Sequence, residues 1–268
     1  MTHEEFHKLK VAQIKELLDG PIAFDYLMWA QEDSRSSVRK LAQAYILRQK
    51  KQLLEKQRLD SLYMYEESFY EEGIYHVAGV DEVGRGPIAG PVTVAAVILP
   101  PNLFLAGLND SKKLSPHKRE ALYEEIMEKA LAVSCISYSP ERIDELNIYE
   151  ATREAMYEAI NSLEIEAEAI LADAMPLPNA TVPVESLVKG DSKSASIAAA
   201  SIIAKVTRDR YMESLEEEYP GYGFAVHKGY YTELHREALE NQGVTPLHRR
   251  SFEPIRTMTG FVPKKKQK

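Results

Sequence analysis

With 268 residues, 44% of them apolar, the chain can bury one sizeable core and still carry an appendage of roughly 70 residues. Apolar runs such as 92–99 are too short to cross a bilayer, the polar first 20 residues hold no secretory leader, and the single cysteine, Cys135, excludes a disulfide framework and a cysteine-built zinc site. The formal charge of -8 is unevenly spread: residues 1–70 balance 11 basic against 11 acidic, 71–219 hold 13 against 26, and 220–268 hold 9 against 4.

The first 70 residues read as helical. Phe6, Leu9, Ile14, Leu17 and Leu18 recur near helical spacing over 3–19, and Gly20-Pro21 stops the run. A second helix is expected over about 37–59, with Val38, Leu41, Tyr45, Ile46 and Leu53 near that spacing. From Arg35 to Arg58 there are eight basic residues and one acid, Glu55, so this helix suits either a phosphate backbone or plain solvent. The aromatic, acidic stretch 61–75 reads as a connection to the next domain.

Beyond Gly73 the texture changes. Strands are expected over 75–80, 93–98, 131–138, 167–172 and 184–188, each a short apolar or β-branched run. Ser115-Pro116 and Ser139-Pro140 open helices, another runs from Asn147 to about residue 165, and a long one covers about 196–218. A short helix over 232–241 follows, and the terminal KKKQK is expected to fray. Three strands followed by alternating helix and strand imply an α/β fold, a mixed sheet with helices on its faces. The expected partition is a helical extension (1–70), a catalytic core (71–219) and a helical and loop region (220–268) that completes it.

Asp81-Glu82, Asp173 and Asp191 each stand just past a strand candidate. Strand ends in α/β folds converge on one crevice, so four carboxylates would gather there. Such a set needs counter-ions, and hard divalent cations such as Mg²⁺ or Mn²⁺ accept oxygen ligands. Two ions about 4 Å apart would activate water and stabilise a departing phosphodiester oxygen. Any one aspartate alone could equally cap a strand or helix; their shared position favours the metal reading. His227, His235 and His248 lack tight ligand spacing and fall in a polar tail.

The Gly84-Arg85-Gly86 turn permits close backbone approach and leaves room for a sugar and phosphate, yet it matches neither GxGxxG nor a P-loop. Downstream, the amides and hydroxyls of Ser194 and Ser196, with Lys193, suit a phosphate at a helix start, or the serines serve only as caps. Asn109, Lys112 and Lys113 lie in a polar loop that either touches backbone phosphates or is ordinary surface.

Six stretches together resemble bacterial ribonuclease HII: DEVGRGPIAGPV (81–92), NDSKKL (109–114), ILAD (170–173), KGDSKSASIAAASIIAKVTRD (189–209), YGFAVHKGY (222–230) and HREALENQGVTPLHRRSF (235–252). The resemblance covers about residues 72–256. It implies a ribonuclease H-like fold with a mixed five-stranded sheet, and divalent-metal endonuclease activity on RNA joined to DNA. Cleavage 5′ of a ribonucleotide, leaving a 5′-phosphate, is expected. Catalytic and metal roles fall on Asp81, Glu82, Asp173 and Asp191, with two ions in the substrate complex.

The same resemblance gives the backbone of Gly84, Arg85 and Gly86 the 2′-hydroxyl region of the ribonucleotide. It gives Tyr230 the next, deoxy, sugar, where residue type alone suggests half-buried packing. The related ribonuclease HIII departs from the GRG pattern, so GRG here favours HII. The implied partners are RNA–DNA hybrids and duplex DNA containing ribonucleotides, met by a cytoplasmic monomer with no membrane attachment. The alternatives are an HIII-like hybrid nuclease and a non-catalytic nucleic-acid binder.

Overall fold

The computed structural model describes residues 1–21 and 23–263, so the fraying expected of KKKQK at 264–268 falls outside the described residues. The chain forms two compact units, Met1–Arg58 and Leu59–Lys268.

In the first unit, α1 (His3–Lys8), α2 (Val11–Asp19), α3 (Ala23–Glu32) and the larger part of α4 (Ser36–Leu62) surround Phe6, Ile14, Leu18, Ala30, Val38 and Ala42. The single helix expected over 3–19 is two helices. Leu9 and Lys10 are extended, and the Lys10 N–H takes the Gln13 side chain (2.9 Å) to open the second. The break holds because Arg35 donates to the Leu9 carbonyl (2.6 Å) while its guanidinium grips the buried Asp33 (2.7 Å). Those bonds hold the Asp33 carboxyl far below the usual carboxylate range. Helix α3 has no counterpart in the sequence reading, because AFDYLMWA is apolar without a clear stripe.

The second unit opens with the end of α4 and α5 (Met64–Glu71). Five strands follow, β1 (Val77–Val83), β2 (Val92–Ile98), β3 (Ala132–Tyr138), β4 (Ala169–Asp173) and β5 (Val184–Leu187), in the sheet order β3-β2-β1-β4-β5. Both pairings within β1–β2–β3 are antiparallel, and β4 lies parallel to β1 and to β5. The expected mixed five-stranded sheet is therefore present. Helices α6 (Pro116–Lys129), α7 (Pro140–Leu146), α8 (Ile148–Asn161) and α9 (Ala195–Glu218) come from the inter-strand segments and beyond, followed by α10 (Phe224–His227), α11 (Glu233–Gln242) and α12 (Ile255–Thr259).

Boundaries differ from expectation by a few residues: β1 runs on to Val83, so Asp81 and Glu82 lie within the strand and not past its end, and β4 starts at Ala169. Helix α8 stops at Asn161, which releases Leu163 and Ile165 to pack on the core. Strand β1 starts at Val77, because the Tyr75 and His76 amides turn to the Glu168 carboxylate (3.0 and 2.9 Å).

Strand alternation divides the sheet's two faces. Ala78, Val80, Val94, Ala96, Ile98, Ile170 and Ala172 pack with Ala155, Met156 and Ala159 of α8. Val77, Ala95, Val97 and Leu171 face α9, whose first turns are buried alanines. Gly79 shares that second face. A Cβ there would lie 2.0 Å from the Ser196 carbonyl carbon, so only glycine lets α9 settle on β1.

Candidate metal centre

Asp81 follows Gly79 by two residues and so also faces α9. Asp173 ends β4 with the parity of Leu171, and Val80 lies opposite Ala172, so both carboxylates leave the sheet side by side. Asp191 arrives by a tight turn. Lys189 takes a left-handed conformation (φ 58°), and the Gly190 N–H donates to Asp173 Oδ1 (2.7 Å). A Cβ on Gly190 would meet Ile197 Cδ1 at 2.6 Å, so the turn passes close beneath α9. Oxygens of Asp81, Asp173 and Asp191 all come within 4.8 Å of one another.

Electrostatics at this corner is strained. Burial, then Glu82 and Asp173, push the Asp81 pKa well up, although the Ser201 hydroxyl and the Glu82 amide, which donates to its carboxylate (2.7 Å), pull it down. Asp191 is raised by burial, then by Asp110 and Asp173. Glu82 lies outside the group of three. Burial raises its pKa against the pull of Arg85, whose Nη1 donates to Oε1 (3.2 Å). Its Oε2 is buried with no partner. Oxygen donors alone, partly buried and mutually repelling, with an orphan oxygen beside them, fit a hard divalent cation better than zinc.

One resident cation answers the repulsion. Burial would lower the Lys112 pKa, but Asp191 and then Asp81, Asp110 and Asp173 hold it above its ordinary value. Its loop docks on α9 through the Ser111 and Ser201 hydroxyls (2.9 Å). Lys113 instead leans on Asp110 (3.6 Å), and the Asn109 side chain accepts from the Asp110 amide (2.9 Å). Lys193 is exposed beside the Asp191 turn.

Ser194 and Ser196 lie in the interior, away from solvent. Both are fully buried, and the end of α9 expected to bind phosphate already holds a carboxylate. Ser194 Oγ and the Ser196 amide donate to Glu66 Oε1 (2.6 and 2.8 Å), and Ser194 Oγ accepts from the Ile197 amide (3.1 Å). Burial pushes the Glu66 pKa up. Sequence reading took 61–75 as a connection and missed this residue. A signal was available: Leu62, Tyr63, Phe69 and Tyr70 at helical spacing place Glu66 on an apolar stripe.

Two buried arginines, also missed, shape the glycine turn. Arg249 donates to the carbonyls of Gly84 (2.5 Å), Arg85 (3.1 Å) and Gly90 (2.9 Å). Arg208 donates to those of Pro91 (2.8 Å), Ala89 (3.2 Å) and Lys228 (2.9 Å). Burial lowers their pKa values to about 9 and about 10, so both remain cations at neutral pH. With the Gly84 and Arg85 carbonyls held inward, planar peptides turn the Arg85 and Gly86 amides away from Arg249, and among the described residues neither donates to another backbone group. Gly84 has φ 91°, and a Cβ there would strike Arg208 Nε at 2.3 Å. Tyr230 joins the turn: its Cε1 lies 3.5 Å from the place of a Cβ on Gly86.

A family profile described as Ribonuclease HII matches residues 78–255, and one described as Ribonuclease HII N-terminal domain matches residues 10–70. The ribonuclease HII of Ligilactobacillus salivarius (strain UCC118) is 50% identical over 249 residues, which is 93% of this chain and 97% of that one. That of Bacillus cereus (strain AH820) is 51% identical over 227 residues, 85% of this chain and 88% of the relative. Among solved structures, the ribonuclease H2 of Pyrococcus horikoshii OT3 aligns with a TM-score of 0.60 at 30% identity, covering 69% of this chain and 97% of that one.

Proposed function

The chain belongs to the bacterial ribonuclease HII family, metal-dependent endoribonucleases acting on RNA–DNA hybrids, and we propose the roles by which its own residues perform that cleavage. Asp81, Asp173 and Asp191, with Glu82 beside them, hold Mg²⁺ or Mn²⁺, two ions in the substrate complex. When bound, the ions activate water and neutralise charge on the departing 3′ oxygen. Asp81 is the central ligand, oriented by the Glu82 amide. Lys112 balances the carboxylates before substrate and cations arrive.

The outward amides of Arg85 and Gly86 receive the 2′-hydroxyl, the group that separates RNA from DNA. Tyr230, half-exposed beside them, supports the following deoxy sugar. Lys193, Lys113 and Asn109 meet backbone phosphates at the rim. The cut falls 5′ of the ribonucleotide, in hybrids and in duplex DNA with embedded ribonucleotides. The enzyme works as a cytoplasmic monomer, and no described helix is long and apolar enough to cross a membrane.

The convergence of three carboxylates within 4.8 Å supports this reading above all else. Cleavage mapping with Mn²⁺ on a duplex holding one ribonucleotide tests it. Asp81→Asn should lose about 10³-fold or more in turnover while its melting temperature holds or rises, since one repelling charge is gone. Near-normal turnover by this variant would exclude Asp81 as an essential ligand. Equal cleavage of an all-deoxy duplex would defeat the hydroxyl-reading role of 84–86.

A further inference from the structure

Behind Tyr230 lies a cluster of buried histidines with no place in the reaction above. His227 ends α10, His235 sits in α11 and His248 precedes Arg249. The His227 and His235 rings stack at 4.2 Å, and the His235 and His248 rings are 5.2 Å apart.

Their hydrogen bonds determine every ring proton. The Thr245 amide donates to His248 Nδ1 (3.0 Å), so the His248 proton sits on Nε2. That nitrogen donates to His235 Nε2 (3.0 Å), which must be the acceptor. The His235 proton is then on Nδ1, where it donates to the Tyr230 carbonyl (2.9 Å). Similarly, the Gly229 amide donates to His227 Nδ1 (3.1 Å), and His227 Nε2 donates to the Tyr222 carbonyl (2.8 Å). All three rings are neutral, and no nitrogen remains for a metal ion. Burial supports this by lowering the His235 and His248 pKa values to about 4.

The His235 end of the cluster terminates on the Tyr230 carbonyl, and the stacked His227 accepts from the Gly229 amide of the same short segment, while the His248 end is anchored on Thr245. The opposite side of that segment is fixed to the glycine turn: Ile88 and Ala89 amides donate to the Gly229 carbonyl (3.0 and 3.3 Å), and Arg208 holds the Lys228 carbonyl (2.9 Å). Residue 230 is therefore clamped between the turn that meets the ribonucleotide and the histidine relay.

We infer that His235, oriented by His248, is a positioning residue that sets Tyr230 against Gly86 and thereby fixes the preference for a deoxy sugar after the ribonucleotide. This rests on the role given to Tyr230 above. It makes the tail's histidines part of substrate selection although none touches substrate.

The test measures kcat/KM on a duplex with one embedded ribonucleotide and on a continuous RNA–DNA hybrid, and takes their ratio. His235→Asn keeps a donor near the Nδ1 position, whereas His235→Gln keeps only reach toward His248. The Gln variant should lower the ratio about tenfold, the scale of one lost buried hydrogen bond, and the Asn variant should stay within about twofold of the parent. In a Tyr230→Ala background, His235→Gln should cause no further drop.

A drop additive to that of Tyr230→Ala would overturn the inference. So would equal ratios for the Asn and Gln variants, or losses on both substrates in step. An unchanged ratio in Tyr230→Ala alone would instead sink the role of Tyr230. A drop in Tyr230→Ala with none in His235→Gln would keep that role and remove His235 from it.

Discussion

Adding one methyl group at residue 79 tests whether the contact between β1 and α9 sets the metal centre. The new Cβ would fall 2.0 Å from the Ser196 carbonyl carbon, 2.2 Å from the Ile197 nitrogen and 2.5 Å from the Ser196 Cβ. Two of those atoms are backbone and cannot rotate away. Opening 2.0 Å to an ordinary 3.4 Å contact means a retreat of about 1.4 Å by the helix or the strand. Overpacking of this kind costs about 1–3 kcal/mol, with backbone clashes toward the upper end.

For a unit of this size, about 3 kcal/mol corresponds to a fall of about 6–12 °C in melting temperature. The same retreat would draw Ser201 and the Asp191 turn away from Asp81, while metal ligation tolerates only about 0.2 Å. Calorimetric melting of Gly79→Ala with and without Mn²⁺, together with Mn²⁺ titration, reads both effects. The expected result is a lower melting temperature and a smaller Mn²⁺-induced rise. Parental stability and Mn²⁺ affinity would refute the claim that a glycine-dependent seat for α9 builds the site.

Glu66→Ala strands the Ser194 hydroxyl and Ser196 amide in the interior, at a cost of about 2–4 kcal/mol. Glu66→Gln keeps the accepting oxygen and should cost clearly less in urea unfolding; equal costs for the two variants would contradict the proposed bonding. The histidines give a pH dependence of definite sign. His235 and His248 have folded pKa values of about 4, below the ordinary 6.5, so the unfolded chain takes up protons first. Their contribution is full above pH 6.5 and is lost as pH falls toward 4, at most on the order of 3 kcal/mol each. Burial lowers the His227 pKa in the same sense, against the Tyr222 carbonyl and Glu216 and with Lys228, while the raised pKa values of Asp81, Glu82, Asp191 and Glu66 act in the opposite sense, adding stability as pH falls. Comparing unfolding of His235→Asn with the parent isolates the histidine part: the variant should show a shallower loss between pH 6.5 and 4.5, and identical slopes would remove the relay from the balance.

What could be read from sequence depended on how locally each feature is encoded. Asp81, Asp173 and Asp191 were legible because each follows a short apolar run, although β1 continues through Asp81 to Val83, and strand parity then places the first two on one face. Arg208 and Arg249 were not, since their acceptors lie up to 119 and 165 residues away. Ser194 and Ser196 show a different failure. A helix start advertises an anion site without saying which anion fills it, and Glu66 is 128 residues from Ser194. The histidines looked like a polar tail because their positions follow no period, and only the folded path around Tyr222 and Phe224 stacks them.

The origin of Glu66 has a practical bearing on where the protein can be divided. It comes from α5, upstream of the 78–255 stretch that matches the catalytic family profile. A shortened version begun at residue 71 or later would leave the longest sheet-packed helix without its end-stop, and weak turnover would then report a loosened scaffold, not a lost grip on nucleic acid. Beginning at Leu59 retains the whole second compact unit and lets the first 58 residues be judged on their own account.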